Sequence, residues 1–169
     1  MRKWAAFAVA ATLSLVTAGA FAQAKIAVVD TGRVASESKE GKKIQATLKA
    51  FHDQKQAEIS AKESELKALE DRGKDPKISD DKKEEARNQF TQKMYEYQAF
   101  AKAAQDEMDG RQQKLQQDFQ QKIVVVINKY AQSKGVSLVV EKGICLYTAD
   151  ALDSTDDVIA AMNVAYPGT

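Results

Sequence analysis

A chain of 169 residues with 25 Lys and Arg against 24 Asp and Glu carries a formal charge of +1. That balance removes the electrostatic basis for strong attraction to nucleic acid or anionic membranes. One histidine and one cysteine exclude an intrachain disulfide and leave too few ligands for a His/Cys metal centre.

Residues 1–22 read as a signal peptide. Arg2 and Lys3 precede an apolar run from Trp4 to about Val16. Ala20-Phe21-Ala22 then fits the small-x-small rule of a signal peptidase site. The run is short for a membrane span of about 20 residues. Cleavage is expected before Gln23, with a cut after Ala24 as the alternative. Loss of Arg2 and Lys3 lowers the basic count from 25 to 23, against 24 acidic residues.

The remaining elements follow in order. "KIAVVD" (25–30) is short, apolar and β-branched, hence a strand. From about Ser36 to Glu70, Ile44, Leu48, Phe51, Ile59, Leu66 and Leu69 recur mostly at steps of three and four, which is helical spacing. Lys55 and Lys62 interrupt that seam. Gly73 and Pro76 break the pattern, and Ser79, Asp80 and Asp81 start a second helix. Its seam runs through Ala86, Phe90, Met94, Tyr97, Ala101, Ala104, Met108, Arg111, Leu115, Phe119, Ile123, Val126 and Tyr130, to about residue 134. Gly135 suits the left-handed position that ends a helix. "VSLVVE" (136–141) and "ICLYT" (144–148) read as a β-hairpin turning at Lys142-Gly143. Ser154 with Asp157 fits a capping box for a short last helix that stops before Pro167.

The expected fold class is α+β. Residues 23–35 and 131–169 form a small β body with a short C-terminal helix. Residues 36–130 form an antiparallel helical hairpin, a coiled-coil-like arm with its tip near 71–80. At 1.5 Å per residue the two helices extend about 50 and 80 Å. "IVVVI" (123–127) is apolar on every side of its helix, so it should be buried all round. Val125, Val126, Ile127, Val139 and Leu146 are expected in the body core. Three short strands with open edges make a weak core, so several copies are expected to complete it. The number of copies does not follow from the spacing.

No constellation for catalysis emerges. His52 sits on the first arm helix among charges, and no Ser-His-Asp set can be built around it. Gly41-Lys42-Lys43 lacks the remaining residues of a phosphate loop. The acidic pairs coincide with helix starts, and Asp30 caps a turn after the first strand. Neither an enzyme nor a cofactor is expected. Cys145 reads as a small buried hydrophobe.

"FTQKMYEYQAF" (90–100) is richer in aromatics than the seam requires. Phe90, Met94 and Tyr97 fall on the seam. Phe100 lies about 80° to one side and Tyr95 about 140° to the other. Three readings are open: Tyr95 is an ordinary surface aromatic, Phe100 covers the seam edge, or both contact a transient apolar partner. On the third reading, Phe90, Met94, Tyr95, Tyr97, Phe100 and Met108 form the partner-binding set.

The two ends of the chain resemble the Skp/OmpH family of periplasmic chaperones. "KIAVVDTGRVASES" with "GKKIQATLKAF" carries the likeness at the start, and "YAQSKGVSLVVEKGICLYTADALDSTDDVIAAMN" at the end. The resemblance implies a homotrimer whose strands join in one body from which three arms hang. It implies an ATP-independent periplasmic holdase that binds unfolded outer-membrane β-barrel proteins in the cage between the arms. Family members are often strongly basic, whereas this chain is near neutral. Contact with membrane or lipopolysaccharide is therefore expected to be weak. The rival expectation is a non-catalytic envelope tether, or an adaptor for one folded partner.

Overall fold

The computed structural model describes residues 24–168, so the expected signal peptide lies outside the described residues. The elements are β1 (Ile26–Val29), α1 (Thr31–Glu37), α2 (Lys39–Lys74), α3 (Asp80–Lys134), β2 (Leu138–Glu141) and α4 (Thr155–Ala165). Single 3-10 turns cover Lys142–Ile144 and Asp150–Leu152. The fold is α+β, with a long helical hairpin rising from a small mixed base.

β1 is apolar and buried from Ala27 to Val29. Asp30 ends it, and its carboxylate accepts from the Arg33 amide at 2.9 Å, which caps α1. The helix expected from about Ser36 is thus preceded by a separate short helix that the spacing does not reveal. Val34 is the single buried side chain of α1, so the helix leaves no apolar repeat to detect. At Ser38 the backbone turns extended (φ −67°, ψ 153°), and the Ser38 hydroxyl accepts from the Gly41 amide at 3.1 Å. Two helices therefore meet at a corner, and Gly41 sits against the preceding one. A Cβ at Gly41 would lie 1.8 Å from the Ala35 carbonyl oxygen.

α2 ends at Lys74, before Pro76, whose fixed ring cannot continue a helix. The Asp75 carboxylate accepts from the Lys77 amide at 2.8 Å and tightens the tip. α3 then runs unbroken for 55 residues, about 80 Å at the usual rise. Gly135 closes it in the left-handed conformation (φ 66°, ψ 30°), which costs a residue without Cβ nothing.

The expected β-hairpin does not form in this chain. β2 pairs instead with β1, in parallel, in the register Ile26–Leu138 through Val29–Glu141. The whole arm serves as the long crossover that parallel strands need. Lys142-Gly143 has hairpin composition, but other partners claim its backbone. The Cys145 amide bonds the Lys142 carbonyl at 3.1 Å, closing a 3-10 turn. Residues 144–148 form no strand, and the chain returns to β1 at a bridge between Val28 and Asp153. The capping box at Ser154 is also corrected. Ser154 makes no side-chain cap bond, and the Asp153 carboxylate takes the Thr155 amide at 2.9 Å.

The core gathers Val29, Val34, Phe119, Ile123, Val126, Val158 and Met162. It thus joins β1, α1, α4 and the base of α3. Ile127 and Val139 pack on its margin. Val125 and Leu146 do not belong to the core of this chain: Val125 is 44% exposed and Leu146 fully exposed. Val124 and Val125 of "IVVVI" are both exposed, so a single chain buries only part of that run.

Candidate functional site

The arm is held along one seam. On α2, Phe51 and Leu66 are buried, while Ile44, Leu48, Ile59 and Leu69 are half-buried. On α3, Ala86, Ala104, Phe119, Ile123 and Val126 are buried, and the other expected seam residues are half-buried, except Arg111. Arg111 is exposed and lays its guanidinium over the Phe51 ring, 4.1 Å from the centroid. Polar bonds span the seam where apolar residues are missing. Lys93 pairs with Glu65 at 3.3 Å and Lys55 with Glu107 at 3.1 Å. The Tyr97 hydroxyl donates to Glu63 at 2.8 Å. That bond raises the Tyr97 pKa, because it favours the protonated phenol. Lys55, more than Arg111, holds the Glu107 carboxyl below its ordinary range.

The six residues proposed for partner binding therefore separate. Phe90, Met94, Tyr97 and Met108 are half-buried in the seam. Phe100 is half-buried on the flank, with Lys62 and Lys55 ammonium groups 4.9 and 5.5 Å from its centroid. Tyr95 alone of the six is exposed, at 70%. His52 is exposed and lies 3.5 Å from Asp53.

The base of the arm is tied to the body by charge. Lys122 on α3 forms an ion pair with Glu40 in the first turn of α2. Tyr166 stacks near the same ammonium, at 5.2 Å. Asn163 of α4 accepts from the Lys39 amide at 2.7 Å and adds a cap to α2. On the other side, Lys142 pairs with Asp153 at 2.6 Å, and the Asp30 amide donates to the Thr155 hydroxyl at 2.9 Å. Lys142 first, then the side chain and amide of Thr155, hold the Asp153 carboxyl well below the usual carboxylate range.

A depressed carboxylate stabilises the fold above its unfolded pKa, about 3.9, and that contribution fades as pH falls through the folded value. Asp153→Asn is therefore expected to cost about 1–2 kcal/mol at neutral pH. The gap between variant and native urea midpoints should shrink as pH drops below about 4. A gap constant down to pH 2 would show that the charge contributes nothing.

The body exposes the largest apolar side chains. Ile144 is 76% and Tyr147 85% exposed, beside fully exposed Leu146. Ile26 and Leu138, partners in the strand register, are also exposed. Among the described residues no group of His, Cys, Asp and Glu could hold a metal ion. None of the described helices is long and apolar enough to cross a membrane.

The chain is a slender two-helix arm on a small α+β base, with exposed apolar side chains concentrated at the base. The family model described as "Outer membrane protein (OmpH-like)" matches residues 25–162, and the chain belongs to that family. The fold is similar to that of an OmpH-like protein from Caulobacter crescentus CB15, whose name proposes an outer membrane chaperone. The two align with a TM-score of 0.71 and 24% identity, over 84% of this chain and 85% of the other. No curated protein matches.

Proposed function

We propose that the protein is an ATP-independent holdase chaperone of the periplasm. It encloses unfolded outer-membrane β-barrel proteins between its arms and keeps them from aggregating. Family membership and the name of the Caulobacter relative support a chaperone role. The observation that carries the reading is the arm. A 55-residue helix paired with a 36-residue one presents a long flank to any chain beside it.

The body supports the cage. A parallel sheet of two strands is marginal alone, and it leaves unpaired edges. Val124, Val125, Ile144, Leu146 and Tyr147 are exposed in the single chain and suit burial against further copies. The homotrimer implied by the family resemblance would use them and set three arms around one space. A client held by many weak contacts keeps its entropy and leaves without fuel. Membrane or lipopolysaccharide contact is a minor term, given the near-zero net charge.

The test is dilution of a urea-unfolded outer-membrane barrel protein with and without the mature chain. Light scattering and complex mass are followed together. Suppressed scattering without nucleotide, in a complex of one client per oligomer, is the expected result. Undiminished scattering from a folded oligomer would favour the tether or adaptor. Tyr95→Ser with Phe100→Ser is expected to weaken client affinity about tenfold, the loss of roughly 1.4 kcal/mol of apolar burial. Oligomer mass should stay the same, and unchanged affinity would remove these two residues from the site.

A further inference from the structure

On the middle of the arm, cations and rings alternate in one row. Arg111 lies 4.1 Å from the Phe51 centroid, and Lys55 lies 5.3 Å from the same ring. Lys55 is also 5.5 Å from the Phe100 centroid, and Lys62 is 4.9 Å from it. The order along the arm is therefore Arg111, Phe51, Lys55, Phe100, Lys62. Phe51 is buried and Phe100 half-buried, and two lysine ammonium groups lie within 5.5 Å of the Phe100 centroid. Lysine stems shield apolar surface while the charged heads stay in water.

Direct ion pairs within the row are few. Glu107 bridges Lys55 and Arg111, both at 3.1 Å. Lys62 makes no ion pair among the described residues. Glu96 lies close enough to feel the Lys62 charge, but Gln92 and Lys93 hydrogen-bond it first. Three cations thus share one directly paired carboxylate.

We infer that this row is a cation-lidded aromatic site that selects unfolded client segments in which a carboxylate flanks an aromatic or large apolar side chain. The inference rests on the holdase reading and names the chemistry its arm recognises. Lys62, with no partner carboxylate to release, swings aside first and uncovers the Phe100 ring. The client's apolar side chain takes the place of the lysine stem. Its neighbouring carboxylate pairs with the displaced ammonium groups. A segment with a basic residue in that place meets ammonium groups of like charge and is disfavoured. The half-exposed site is partly screened, so the preference is modest and salt-dependent.

Two unstructured peptides test this, identical except for Glu or Lys beside each aromatic residue. Their affinities for the intact oligomer are compared by fluorescence anisotropy. The acid-flanked peptide is expected to bind about tenfold tighter at low salt and only slightly tighter at about 0.5 M salt. Lys62→Gln, which breaks no ion pair, should remove most of the difference, and Lys55→Gln with Lys62→Gln all of it. Circular dichroism confirms that the variants keep their helices. Equal affinities for the native protein, or a preference that survives in the double variant, overturn the inference. Suppressed scattering of the unfolded barrel protein without peptide discrimination overturns this inference alone. Loss of both overturns the holdase reading with it.

Discussion

Gly41→Ala is expected to destabilise the protein by about 3 kcal/mol or more, a result near the upper end of overpacking costs. Alanine normally improves a helix by about 1 kcal/mol over glycine, so the sign has to be argued. The added Cβ would fall 1.8 Å from the Ala35 carbonyl oxygen and 2.7 Å from its carbonyl carbon. These are backbone atoms and have no rotamer to change. Relief requires α1 and α2 to part at Ser38. That movement would strain the Ser38 cap on Gly41 and the neighbouring Glu40–Lys122 pair. The urea midpoint should drop by about 1–3 M, given the usual slope of roughly 1–3 kcal/mol/M for a small domain. Gly110→Ala is the control, because nothing lies within 4 Å of its Cβ position. It should gain about 0.5–1 kcal/mol through helix propensity alone. If the two alanines behave alike, the α1–α2 corner is not the constraint described.

Leu146→Asp with Tyr147→Asp is expected to abolish assembly and leave each chain folded. Both side chains are exposed in the single chain, at 108% and 85%. Charges there have no cost until a second copy covers them. Burying an unpaired carboxylate costs several kcal/mol, and a closed oligomer repeats that cost in every copy. Dissociation constants should rise by at least about a hundredfold. Sedimentation at micromolar concentration should then find single chains, with helical circular dichroism retained. An unchanged mass would place the 144–147 segment outside the interface. Loss of helix would show that the segment supports the fold of its own chain.

The sequence by itself determined the elements that repeat. Three- and four-residue spacing from Ala86 to Tyr130 defined α3, and Ser79 and Gly135 bounded it where the structure does. A long helix repeats one local geometry, so its signal accumulates with length. Gly73 and Pro76 likewise marked the turn between the arm helices, because backbone freedom and a missing donor act locally.

What only the tertiary structure decided depends on partners far away in the chain. β2 is a parallel partner of β1, across the whole arm, and nothing within residues 136–148 encodes that. The same residues carry local hairpin signals, which lose because β2 takes its backbone partners from β1 and the chain after it folds into a 3-10 turn. α1 went unread because a seven-residue helix with one buried side chain has no period. On the arm, Lys55 and Lys62 interrupted the seam of one helix, and Arg111 stood among the seam positions of the other. Side-chain geometry turned them into a row of cations over Phe51 and Phe100. Spacing places a residue on a face, but the atoms opposite it decide whether a lysine there is a flaw or a lid.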